Sequence, residues 1–124
     1  MGIVFEIDVE EGIIYSIAEG TIGLEDIQAN GEKLVADPRY HPDLSHIIEF
    51  RLSRLSLSEE EVKVLASGHI PGVNPRKLAM VADGPQRKAL LQYKEWIEGE
   101  ILVEVFTDFG SAKEWLRPPS EDDS

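Results

Sequence analysis

This sequence of 124 residues predicts a single α/β domain: a sheet of five strands, mostly parallel, with an antiparallel hairpin strand at the N-terminus and helices packed on the sheet. Three observations carry that reading. The last third runs KLAMVADGP, a helix-patterned segment, then ILVEVFTDFGSAKEWL, which is strand, capped helix, strand, capped helix. The first segment, Ile3–Val9, alternates apolar and polar residues with the period of a half-buried strand. Between them the order β-β-α-β-α-β-α-β-α contains three consecutive strand–helix–strand units, which imply parallel pairing through right-handed connections.

Each element has a local reason. Ile3, Phe5, Ile7 and Val9 face one side of the first strand, Glu10-Glu11-Gly12 make a turn, and Ile13 to Glu19 returns as the second strand of a hairpin. Thr21 to Gly23 opens a helix whose Leu24, Ile27, Gly31, Leu34 and Val35 share a stripe, with Glu25 and Asp26 at its positive end and Pro38 as its stop. The loop ADPRYHPDLSH is rich in Pro and Asp and belongs on the surface. His46 to Leu52 reads as one mostly buried strand. Ser58-Glu59-Glu60-Glu61 is a capping box for a short helix with Val62, Leu65 and Ala66 inward, ended by Gly68 and followed by a loop GHIPGVNP. Lys77 to Asp83 is a near-continuous apolar strand of the kind covered on both faces. Pro85 stands at the first position of the third helix, whose stripe is Ala89, Leu90, Tyr93, Trp96 and Ile97. Ile101 to Phe106 is the last strand. Asp108 caps the last helix, with Phe109, Ala112, Trp115 and Leu116 inward and Arg117-Pro118-Pro119 as its end. Residues 1–117 form the domain, and residues 118–124 are expected to be a disordered acidic tail.

Composition narrows the function classes. An apolar fraction of 42% and a charged fraction of 29% are those of a globular domain. The absence of cysteine excludes a disulfide framework, thiolate metal sites and cysteine nucleophiles, and fits a reducing compartment. MGIVFEIDVEE has no basic start and no long apolar run, so no signal peptide is expected. Glu6 stands where a myristoylation signal wants Ser or Thr. No stretch approaches the roughly 20 apolar residues of a membrane span. The expected location is the cytoplasm. The net charge is −12, with 14 acids and 4 bases in residues 1–62 against 10 and 8 in residues 63–124. Such a chain repels phosphate backbones and anionic membranes, so neither nucleic acid nor membrane insertion is expected. Arg76, Lys77, Arg87, Lys88 and Lys94 face only Asp83 in their interval, and read as the solvated faces of a strand start and a helix.

No P-loop, G-x-G-x-x-G, H-E-x-x-H or G-x-S-x-G motif is present, and no enzyme is expected. His41 and His46 are five apart across Pro42, which is no recognised ligand spacing, and they read with His69 as surface loop histidines; no metal or cofactor is expected. Glu49, inside IIEFR, has Arg51 as its same-face partner.

The hairpin, GTIGLEDI, LVADPRYHPDLSHIIEFR, LSLSEEEVKVLA, RKLAMVADGP and VFTDFGSAKEWL together resemble the bacterial STAS-like (SpoIIAA-like) proteins, which are related in fold to the Sec14-like lipid-binding domains. The resemblance covers about residues 12–117, and its most specific piece is Val105, Phe106, Asp108, Ala112, Trp115 and Leu116. It implies a small α/β domain without established catalysis.

Three candidate sites follow. The carboxyl edge of a parallel sheet is where ligands bind and helix N-termini point. Here it collects Ser53, Arg54, Ser56, Ser58, Asp83, Gly84, Thr107 and Asp108, with capping as the plainer role of Ser58 and Asp108. The resemblance to anti-sigma-factor antagonists implies a regulatory phosphosite in the loop after the corresponding strand. Ser58 matches best and Ser56 next, although LSLSEEE departs from the Asp-Ser-Ser-Gly-like pattern. Tyr93, Trp96, Phe106, Phe109 and Trp115 are a candidate apolar pocket, and the Sec14-like resemblance implies a lipid-like or small apolar ligand for it. The functional expectation is a regulatory module acting through an unknown protein partner, with a homodimer through the hairpin edge as one form. The alternative is a carrier or sensor of a small apolar ligand.

Overall fold

The computed structural model describes residues 2–41, 43–67, 77–97 and 101–117. Its strands are β1 (Gly2–Asp8), β2 (Ile13–Ile22), β3 (Ser45–Glu49), β4 (Ser53–Leu55), β5 (Lys77–Val81) and β6 (Leu102–Phe106). Its helices are α1 (Leu24–Ala36), α2 (Glu59–Ala66), α3 (Pro85–Trp96) and α4 (Phe109–Leu116). The expected loop GHIPGVNP, the end of α2 at Gly68, and the tail lie outside the described residues, as do Arg76 and His69.

The sheet order is β1-β2-β3-β5-β6, with β4 added to the far end of β2. Only β1 and β2 are antiparallel, joined through Gly12, whose φ of +72° suits glycine and whose N–H donates to the Asp8 carbonyl. The strand order never reverses between β2 and β6. Right-handed crossovers that advance in one direction put their helices on one face of the sheet. α1, α2 and α3 therefore share a face, where they cover Ala18, Ile48, Leu78, Met80, Val103 and Val105. α4 follows the last strand, makes no crossover, and lies on the opposite face over Ile13, Ile47, Ala79 and Val81.

One strand is divided. Residues 46–52 read as continuous in sequence, but β3 ends at Glu49 and the chain turns through Phe50, Arg51 and Leu52. The turn is closed twice on the Phe50 carbonyl, by the Ser53 N–H at 3.0 Å and by the Ser53 hydroxyl at 2.8 Å. Glu49 clamps Arg51 with two guanidinium bonds of 2.9 and 2.8 Å and accepts its backbone N–H at 2.9 Å. Leu52 is 64% exposed as a result. β2 is long enough, at ten residues, to pair β3 along its first half and β4 along its second.

The caps follow the sequence. Ser58 accepts from the Glu61 N–H while Glu61 accepts from the Ser58 N–H. Asp108 accepts from the N–H and hydroxyl of Ser111. Those two Ser111 bonds hold its carboxyl below the ordinary range. Gly84 precedes α3 at φ +57° and ψ −143°, a conformation left almost wholly to glycine.

Ile14 is fully buried in the hairpin corner with Ile7, Leu34 and Leu44. Ile14→Ala is expected to lower stability by about 2–5 kcal/mol through lost transfer energy and a residual cavity. Urea unfolding of the variant checks this; a loss below about 1 kcal/mol would mean that α1 closes onto the hairpin without it.

Candidate functional site

Between the sheet and its three-helix face lies a pocket. Its floor is His46, Ile48, Leu78 and Met80 from β3 and β5, and its walls come from α1, α2 and α3. Period-2 alternation puts His46 and Ile48 on the same side of β3, and parallel register sets them beside Leu78 and Met80. The break after β3 supplies the rest: Phe50, Leu55 and Leu57 enter the pocket because the chain turns there rather than running straight. Ile3, Ile27, Leu55 and Leu57 are half-buried members of its lining. The enclosed volume is about 50 Å³, a third of the roughly 150 Å³ at which an engineered apolar cavity holds benzene.

Sixteen of the described residues line the pocket, and none of them is Asp, Glu, Lys or Arg. Three are polar. Tyr93, from α3, is 4% exposed, and Asn30 comes from the inner face of α1. The Tyr93 hydroxyl and Asn30 Oδ1 are the two buried side-chain polar atoms without a hydrogen-bond partner among the described residues. Buried polar groups are almost always paired, since each unpaired one costs on the order of 1–3 kcal/mol. Both atoms belong to residues that line this pocket, which is the most informative feature of the molecule. Burial raises the Tyr93 pKa far above its ordinary value, so the phenol is protonated.

The third polar residue, His46, is 3% exposed, with Nε2 2.7 Å from the Ser16 hydroxyl. Burial pushes its pKa down to about 3, so the ring is neutral. The separation is that of a nucleophile and its base. Ser16, however, is not on the pocket wall, and no carboxylate is hydrogen-bonded to the ring among the described residues. The pair satisfies two buried polar side chains. This corrects the reading of His46 as a surface loop histidine: it stands on the inward parity of β3, in register with Ile14 and Leu78. His41 is exposed, as expected.

The five aromatic residues expected to form one pocket are divided between the faces. Tyr93 lines the pocket, and Trp96 packs against the same core under the Lys63 ammonium, 5.4 Å away. Phe106, Phe109 and Trp115 belong to the α4 face, where Phe106 and Trp115 rings are 5.7 Å apart and Lys77 lies 5.3 Å over Trp115. A helical stripe shows that a residue points inward, but not toward which face of the sheet.

At the carboxyl edge, Ser53 is buried and spent on the β3–β4 turn, and Ser58 and Asp108 are spent on caps. Ser56 is exposed, its N–H given to the Ile22 carbonyl at 2.7 Å. Arg54, Asp83, Gly84 and Thr107 are exposed. Arg51 beside Glu49 also feels Asp83 and Asp108, so the edge gathers carboxylates around one guanidinium. Among the described residues no group of three or more His, Asp or Glu side chains could hold a metal ion, and no helix is long and apolar enough to cross a membrane.

Two outcomes follow for the isolated protein. Tyr93→Phe removes an unpaired buried hydroxyl and is expected to raise stability by about 1–3 kcal/mol. A lower thermal midpoint would instead show the hydroxyl engaged. His46 titrates at about 3 in the fold and near 6.5 in the open chain. Between those values only the unfolded chain binds the proton. The contribution is therefore complete above pH 6.5 and falls with pH, by at most about 1.4 kcal/mol per pH unit. Urea midpoints at pH 6.5 and 5.0 are expected to differ more for the parent than for His46→Gln; equal slopes would mean that His46 is protonated in the fold.

No protein-family model matches the chain, and no curated protein matches its sequence. Among solved structures, it is similar to an uncharacterized protein from the DUF3478 family, with a SpoIIAA-like fold, from Shewanella loihica PV-4. The two share 20% identity and a TM-score of 0.61, over 93% of this chain and 94% of the other. With its antiparallel hairpin, parallel sheet and three-to-one division of helices, the chain has a SpoIIAA-like fold.

Proposed function

We propose that this protein is a non-enzymatic binding module for a small, mostly apolar molecule held between the sheet and helices α1–α3. The observation that carries this reading is the pair of unpaired buried polar atoms, Asn30 Oδ1 and the Tyr93 hydroxyl, in an otherwise apolar pocket. Ligand sites have this composition: apolar walls, with a few polar groups that fix orientation. Gly31 supports it. A buried glycine in mid-helix gives up about 1 kcal/mol relative to alanine, and it leaves the α1 wall of the pocket without a side chain.

Action through a protein partner has a separate support. β1 is an edge strand, and on the face left uncovered beside α4 its Val4 stands directly opposite Ile17, the two being 64% and 44% exposed. A second copy pairing on that edge is the homodimer form of this reading.

Native mass spectrometry of the protein purified gently from its own cells separates the two. A small-molecule adduct is expected on the parent and absent from Ala89→Phe, which puts a ring into the pocket wall. A spectrum without adduct, the same for both proteins, would overturn the ligand reading, and a dimer mass would favour the edge.

A further inference from the structure

The chemistry of the pocket specifies the charge of what enters it. We infer that the pocket takes an uncharged head group that both donates and accepts a hydrogen bond, a hydroxyl or a primary amide, on a short aliphatic body. This rests on the pocket's being a ligand site and goes further, to the class of ligand.

Three observations lead there. First, the orphaned atoms are complementary in role. Asn30 Oδ1 is an acceptor and needs a donor; the Tyr93 hydroxyl is itself a donor and acceptor. A hydroxyl or an amide offers both functions in one group. A carboxylate offers only acceptors, and an ammonium only donors. Second, among the described residues nothing in the pocket compensates a charge. No described lining residue is Asp, Glu, Lys or Arg, and the His46 imidazole is neutral and bonded to Ser16. Taking an ion from water into such a lining is far costlier than taking a hydroxyl. Third, the enclosed space is small. At about 50 Å³ it is well below a benzene cavity, so it suits a head group and little more. Ile3, Ile27, Leu55 and Leu57, half-buried members of the lining, offer apolar contact to a chain that continues outward.

The experiment uses the full chain and four probes of equal chain length: 1-hexanol, hexanamide, hexanoate and hexylammonium, at pH 7.5. Methyl proton–carbon spectra read the shifts of Ile27, Ile48, Leu55 and Leu90. The alcohol and the amide are expected to shift these methyls saturably, and the two ions to bind at least about tenfold more weakly, the equivalent of one uncompensated polar burial. Tyr93→Phe, checked for an unchanged fold from the α4-face methyls of Ile13 and Val81, is expected to weaken 1-hexanol binding by about fivefold or more, the loss of one buried hydrogen bond. Hexanoate or hexylammonium binding as tightly as 1-hexanol would overturn the inference about charge and leave the pocket a ligand site. No shift with any of the four would overturn the ligand site itself. Unchanged 1-hexanol affinity in Tyr93→Phe would overturn the role given to the hydroxyl.

Discussion

Strand β2 is the constraint on which the rest of the molecule depends. Its ten residues hydrogen-bond to β1 along one edge and to β3 and then β4 along the other. No other strand reaches both halves of the sheet. Because β2 outlasts β3, the chain can leave the sheet at Phe50, turn on the Ser53 and Glu49 bonds, and rejoin the same strand three residues further on at Gly20. That detour brings Leu55 and Leu57 to the pocket lining, and α2 then packs against α3.

The two faces of the sheet are physically different for a topological reason. Three crossovers advancing in one direction commit three helices to one side. Three helices over a twisted sheet do not meet at one point, and the gap among them is bounded by whatever side chains they present. The single helix on the other side lies along β5 and β6, and its aromatic ring pair and lysine contacts close it against the sheet. Under α4 that face is packed, while beside α4 Val4 and Ile17 stay exposed; the pocket lined by Asn30 and Tyr93 lies on the three-helix face.

In the pocket, local stability gives way to something else. An unpaired phenol, an unpaired amide oxygen and a helix glycine each lower stability, and they stand together rather than scattered. His46 and Ser16 show what the same core does with polar groups it does need to satisfy: they are bonded to each other at 2.7 Å. The contrast between the satisfied pair and the unsatisfied atoms, with His46, Asn30 and Tyr93 all lining one pocket, marks the latter as positions that await a partner group.

Periodicity, caps and turn residues were legible in the chain itself. The alternation of Ile3–Val9, the Ser58–Glu61 box, Pro85 at the head of α3 and Asp108 at the head of α4 each rest on interactions within four residues, and local interactions are written locally. From them came the α/β class, the antiparallel hairpin and the parallel remainder. The division of Ile47-Ile48-Glu49-Phe50-Arg51-Leu52 was not legible, because an apolar run looks the same whether it runs straight or turns, and only pairing with β2 decides. The burial of His46 could have been read from its parity with Ile48 and Phe50, since His46 already stood at the head of the strand read over residues 46–52. The separation of Tyr93 from Phe106, Phe109 and Trp115, and the placing of Tyr93 and Asn30, 63 residues apart in the chain, on the lining of one pocket, belong to tertiary structure alone. Helical spacing determines which side of a helix turns inward; which face of the sheet receives it, and which distant residue it meets there, is set by strand order and crossover direction, which no local pattern contains.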